Sequence, residues 1–353
     1  PPAMPPHPPP TNRRPNPAPP TGVLAPTTPA AAVDATSTIA NASPSVATAG
    51  LTDDVVMAQW TSQIVVVNAD GSGSRALTDG QTPDGGPAWS PDGGSIAFVS
   101  SRDGGGVYVM NPDGTDAHRI ADSAGESVAW SPDGRYIAVG SSHGHADDYP
   151  QIYLVAADGS GSTQLTDASN PPPATQSMGS GGPVWSPDGS QIAFTVSELS
   201  GANDIYVMNA DGRDMRRLGS GGGRKYEPSW SPDGTLIAFS NDAQDGDVWV
   251  MRPDGSDLHN LTNSPVVEHA HMWAPAGDEL LFVRDDLDNH QLVAVAPDGT
   301  NERLLFASAE YVTEPRWSPD GSRIAFIYGH PEKDTAVFVM NADGSDVRQL
   351  TDT

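Results

Sequence analysis

Trp89-Ser90-Pro91-Asp92-Gly93 is the stretch that decides the fold, because it returns at residues 130–134, 185–189, 230–234 and 317–321. A variant, Trp-Ala-Pro-Ala-Gly, stands at residues 273–277. Successive tryptophans are 41, 55, 45, 43 and 44 residues apart. A period of that length marks a propeller or solenoid, in which each repeat is one supersecondary unit. Working outward from Trp89, the chain runs through a Pro-Asp-Gly turn into Ile96-Ala97-Phe98-Val99. It then passes a loop into Val107-Tyr108-Val109-Met110, turns at Asp113-Gly114 and ends in His118-Arg119-Ile120. Short β-branched and aromatic runs separated by Asp-Gly turns are strands joined in hairpins. Asp caps each turn through its side chain and Gly accepts positive φ. The repeat therefore encodes four strands, a to d, and radial repetition of such sheets gives propeller blades.

The second half of the repeat occurs seven times, with turns at Asp70, Asp113, Asp158, Asp211, Asp254, Asp298 and Asp343, each followed by Gly. The expectation is an all-β propeller of seven four-stranded blades. The first blade lacks the tryptophan phrase, and residues 44–48 sit at the offset of its innermost strand. The domain reading is a Pro-rich arm over residues 1–43 and a propeller over 44–353. The repeated tryptophans stand at one blade position and are expected as core wedges.

The recurring Trp-Ser-Pro-Asp-Gly and Asn-Ala-Asp-Gly-Ser phrases resemble the TolB-like propellers, also called PD40 or WD40-like repeats, over residues 51–353. That resemblance implies a propeller working through protein–protein contact in a periplasm or outside the cell. It also implies a place for chemistry, since some TolB-like propellers carry a metal-dependent lyase site on one face and others gate a peptidase.

Composition narrows the function classes. The net charge of −27 excludes nucleic acid and anionic membranes as partners, which need a basic footprint. With no cysteine there is no disulfide, thiolate metal site or Cys nucleophile. No apolar run is long enough for a membrane-spanning helix. The start at Pro1-Pro2 is read as a processed, mature end of an exported protein.

The arm is different material. Residues 1–50 hold 14 prolines, and every one of the 45 acids lies from Asp34 onward, whereas Arg13 and Arg14 precede it. Such a segment favours extended polyproline conformations and cannot fold alone. Its apolar islands, at Val23-Leu24, Val33 and Ile39, are short enough to lie as added strands. The expectation is that Arg13, Arg14, Val23, Leu24, Val33 and Ile39 dock on a neighbouring subunit, building an oligomer or filament. Packing on the same chain, disorder and a glycosylated spacer are its competitors. The alternative function is a periplasmic accessory propeller that binds a different protein. A metal-dependent polysaccharide lyase or hydrolase is a third reading.

Candidate metal ligands come from the loop face. Glu126, Glu227, Glu268, His269, His271 and Glu314 precede the a strands, and Glu227 and Glu314 each stand three residues before a tryptophan. The b–c loops add Asp242, Asp245 and Asp247 in one repeat, and Asp285, Asp286 and Asp288 in the next. Alternating oxygen ligands suit Ca²⁺, although the spacing completes no EF-hand. His143 and His145 with Asp147 and Asp148 form a further cluster, and Asn260-Leu261-Thr262 is a formal glycosylation sequon. No nucleophile elbow appears, so no catalytic residue is assigned.

Overall fold

The Ser-Pro-Asp-Gly phrase closes on itself. In the first copy Ser90 Oγ donates to Asp92 Oδ1 at 2.6 Å, Gly94 N donates to the same oxygen at 2.9 Å, and Ser95 N donates to Ser90 Oγ at 2.9 Å. The bond from Ser to Asp recurs at Ser131–Asp133, Ser186–Asp188, Ser231–Asp233 and Ser318–Asp320. Each Asp is held below its ordinary pKa, in four of the five chiefly by the Ser hydroxyl. At Asp133 burial works the other way and is outweighed by Ser131 and Arg135.

A computed structural model of the chain describes residues 37–39, 54–59, 63–68, 75–122, 125–141, 150–167, 177–198, 201–219, 222–244, 246–286, 289–329 and 335–350. All fall in one compact unit, Ala32–Thr353. Among the described residues the strands form seven antiparallel four-stranded sheets, each made of consecutive segments. Among the described residues helix is confined to two short 3₁₀ turns.

Six of the sheets are complete blades. Their innermost strands are Asp84–Trp89, Gly125–Trp130, Ser177–Trp185, Lys225–Trp230, Val267–Trp273 and Val312–Trp317, each ending in the repeated tryptophan. The expectation of seven like blades is corrected to that extent. The first sheet, Ser37–Ile39, Asp54–Gln59, Ile64–Asn68 and Arg75–Ala76, has no tryptophan at its inner edge. Its innermost strand also differs from expectation: Ser37 pairs with Gln59 and Ile39 with Met57, so the strand comes from the apolar island at Ile39 and not from residues 44–48. Ile39 thus lies on a strand whose backbone pairs with Asp54–Gln59.

Apolar clusters sit between successive sheets. Val107, Val109 and Ile120 of the second sheet meet Val128, Trp130 and Ile137 of the third. The same pattern continues around to Leu281, Leu292 and Leu305 of the sixth against Ile324, Phe326 and Met340 of the seventh. Val65 of the first sheet packs with Ile327, Val337 and Leu350 of the last, while Ile64 and Val66 pack with Ile96, Phe98 and Met110 of the second. Central strands buried on both sides carry this core, as expected of blades that share it with neighbours.

Two devices clamp neighbours together. Trp130 Nε1 donates to Ala88 O at 3.1 Å, Trp185 to Ala129 O at 3.1 Å, and Trp273 to Ser229 O at 3.2 Å. Each acceptor is the residue just before the preceding blade's tryptophan, so the wedge reading holds at these positions. The c–d turn glycines supply the second clamp. A Cβ at Gly114 would lie 2.9 Å from Leu77 O, and one at Gly344 only 2.6 Å from Leu305 O, both residues of the preceding sheet. These turns need glycine for closeness as well as for φ.

Candidate functional site

The innermost strands carry a recurring irregularity three residues before the tryptophan. Gly86, Gly182, Glu227 and Glu314 occupy that place with φ of 55°, 59°, 54° and 49°. The pairing with the next strand shifts register across each of them. The sequence correctly set Glu227 and Glu314 in equivalent places, and the backbone adds that both are bulges in a conformation that favours glycine.

The surroundings of Glu227 are crowded. His271, 8% exposed, comes from the next blade and lies 3.3 Å through Nδ1 from Ser240 Oγ. Burial lowers its pKa, opposed by Glu227. Arg316, two residues past Glu314, has its guanidinium Nη2 3.9 Å from Glu314 and donates through Nη1 to Pro315 O at 3.0 Å. Burial lowers its pKa too, opposed by Glu314 and Glu227. The bulges therefore gather two acids, one arginine and one buried imidazole.

A second position, five residues before the tryptophan, is polar and buried in four blades: Asp84, Ser180, Lys225 and Glu268. The charged members are neutralised locally. Asp84 meets Arg102 at 2.6 Å. Lys225 Nζ lies 2.6 Å from Asp204 Oδ1 with both side chains 1% exposed, and Arg217 holds the other oxygen of Asp204. Glu268 meets Arg284 at 2.7 Å, and Arg284 forks onto Glu302 at 2.8 and 2.9 Å. Burial raises the Glu268 pKa against the pull of Thr262 and Arg284. Arg284 is raised by its bonds to Glu302 and Glu268 against the cost of burial.

His269 Nε2 lies 2.8 Å from Asp285 Oδ2, and His290 Nδ1 lies 2.5 Å from Asp285 Oδ1. Burial acts to raise the Asp285 pKa, but the two imidazoles hold it below the ordinary value. The His290 ring stacks on Tyr311 at 4.2 Å. Asp242 accepts from Arg224 Nε at 2.7 Å and Tyr226 OH at 2.9 Å. Asp247 accepts from Asn260 Nδ2 at 2.6 Å and Ser264 N at 2.8 Å. That bond also engages the sequon asparagine in structure. Asp286 is exposed at the end of its strand.

The candidate acids are thus distributed among separate polar clusters. Among the described residues no three of His, Asp and Glu are arranged to hold a metal ion. Asp245, Asp288, His143, His145, Asp147, Asp148 and the side chain of Glu126 lie outside the described residues, as do Arg13, Arg14, Val23, Leu24 and Val33. Sequence reasoning missed Arg316, Arg284 and the Lys225–Asp204 pair. The same offset counting, taken five residues before each tryptophan, would have found the buried polar position.

A family model described as the TolB β-propeller domain, PD40, matches residues 38–173 and 173–310. The chain belongs to the TolB β-propeller family. The Tol-Pal system protein TolB of Bordetella pertussis is 35% identical over 155 residues, 44% of this chain and 33% of that protein, so the match spans only a third of the relative. The structure of a TolB from Agrobacterium tumefaciens covers 79% of this chain and 97% of its own, at 24% identity and TM-score 0.55. An oligogalacturonate lyase in complex with manganese covers 86% of this chain and 90% of its own, at 16% identity and TM-score 0.65. At those identities the solved structures speak for the fold alone. No helix among the described residues of this TolB-family chain is long and apolar enough to cross a membrane.

Proposed function

We propose that this TolB-family propeller is a non-enzymatic, periplasmic protein that binds another protein through the face carrying its b–c and d–a loops. The observation that carries this reading is the state of the acids on the first and second strands of the blades. Glu268 and Asp84 are buried against arginines, and Asp285 is held between two histidines. A metal-assisted lyase needs carboxylates or imidazoles open to an ion. The opposite face is nearly uniform Asp-Gly turns, so recognition falls to the loops. Membership of the TolB family and the likeness to TolB point the same way.

The test is a photo-crosslinking residue placed at Tyr311 on the loop face or at Asp254 on the turn face, in cells exporting the full chain. A discrete adduct from Tyr311 and none from Asp254 is the expected result. Adducts from neither, together with manganese-dependent cleavage of oligogalacturonate that disappears in Glu227→Gln, would replace binding with catalysis.

Arm-mediated self-assembly is the second reading, favoured by the opposite charge of arm and body: Arg13 and Arg14 precede every acid in a chain of net charge −27. Light scattering on the intact chain and on one lacking residues 1–33 tests it, with association expected only in the first. The cut spares the Ser37–Ile39 strand. In the same scheme the first sheet serves as a seventh, closing blade, since its third strand packs on both the last sheet and the second.

A further inference from the structure

Outer strands of a propeller are sheet edges, and an edge strand offers a row of unpaired backbone groups to any extended partner. Among the described residues, six of the seven outer strands are blunted by brevity. They run two to four residues: Arg75–Ala76, His118–Ala121, Ser162–Gln164, Arg216–Arg217, His259–Asn260 and Arg348–Gln349. The sixth sheet is the exception. Its outer strand, Arg303–Ser308, has six residues and the sequence Arg-Leu-Leu-Phe-Ala-Ser, with no proline and no lysine, and its one irregularity is a register shift at Leu305, between the pairs Leu304–Val293 and Phe306–Leu292. Leu304 is 52% exposed, the highest value among the exposed large apolar side chains described, and Ala307, three residues on, is exposed as well. The one cation on the strand is already paired. Arg303 is bound to Glu279 at 2.6 and 3.0 Å and to Ala342 O at 3.2 Å.

The charge around that edge is negative. Glu279 raises the Arg303 pKa first through its hydrogen bond, and Asp343 and Asp278 act on it as well. Glu302 adjoins the strand and is bound to Arg284. An occupant must therefore be extended, apolar in the middle and basic. The arm contains one such segment. Thr21-Gly22-Val23-Leu24-Ala25 is bounded by Pro20 and Pro26, and Arg13 and Arg14 precede it with no acid before Asp34. Five residues between prolines match a six-residue edge, and the flanking prolines, which cannot donate to a ladder, stop the pairing from spreading.

We propose that the outer edge of the sixth sheet, strand Arg303–Ser308, receives the Thr21–Ala25 segment of a second copy of this chain as an added strand, with Arg13 and Arg14 answering the acids beside Arg303. The inference rests on the arm-docking reading and names the surface that receives the arm. Main-chain hydrogen bonds supply the affinity in this mode and Leu304 the apolar contact.

The test uses a fluorescein-labelled peptide of residues 11–28, titrated with the full-length chain and with full-length Leu304→Lys and Ala307→Pro variants whose melting temperatures match the parent. Saturable binding is expected, weakened by about tenfold or more in each variant, and weakened by raised salt. Should Ala307→Pro disturb folding, Leu304→Lys carries the test alone. Binding that is equal in parent and variants overturns the assignment of the edge. Light scattering separates the two readings. Association that needs residues 1–33 but ignores Leu304→Lys sinks the edge and leaves arm docking standing. A monomeric chain that binds no peptide sinks both.

Discussion

Glu227 and Glu314 stand in backbone conformations where two sister blades use Gly86 and Gly182. A side chain there costs about 1 kcal/mol of backbone strain. Comparing Glu227→Gly with Glu227→Ala isolates that term, because both remove the carboxylate. The glycine variant is expected to be the more stable by about 1 kcal/mol in urea unfolding. Coincident midpoints would show that the bulge relaxes when the side chain changes. Glu268 offers a second test, since its buried carboxylate depends on Arg284. Arg284→Met is expected to cost about 3 kcal/mol, because it strands a buried charge. Adding Glu268→Gln to it should recover part of that loss, and no recovery would show the pair to be uncoupled.

The turns between c and d strands carry the stability of the blade as an element. Gly344 combines φ of 84° with a Cβ position 2.6 Å from Leu305 O, whereas Gly161 has nothing within 4 Å of its Cβ position. Gly344→Ala is expected to cost about 2 kcal/mol and Gly161→Ala less than about 0.5, read from thermal or urea unfolding. A mild effect at Gly344 would mean the neighbouring sheets slide apart cheaply. This regularity is also why the blades were legible in sequence. Asp-Gly turns and β-branched runs are local signals, and each was repeated. What escaped was non-local. The strand Ser37–Ile39 carries no turn phrase and pairs across some twenty residues with Asp54–Gln59. The ion pairs Lys225–Asp204 and Glu268–Arg284 join different strands. No window of sequence holds both partners of such a pair, so the acids read as open ligands when they are neutralised.

For the molecule as a whole, pH acts through two sets of groups. Burial keeps the His271 pKa below its ordinary 6.5, so the unfolded chain binds that proton first and stability falls as pH drops below 6.5. The turn carboxylates, Asp92, Asp188, Asp233 and Asp320 among them, are held below their ordinary 3.8. Their stabilisation is complete above that value and is lost as pH falls through the lowered pKa. Melting temperatures from pH 8 to pH 3 should show a shallow decline below about 6.5 and a steeper one below about 4. His271→Gln should remove the shallow part alone. A profile unchanged by that variant would acquit the buried imidazole.

The indole bonds around the ring all have one sense. Trp130, Trp185 and Trp273 each reach back to a carbonyl in the sheet that precedes them in the chain. Polypeptides leave the ribosome amino end first, so each tryptophan emerges when its acceptor has already been made. At these three junctions the molecule can close blade upon blade as it is synthesised, the newer one latching onto its elder, and a translation pause there would leave a clean, latched edge instead of an anchor awaiting its mate.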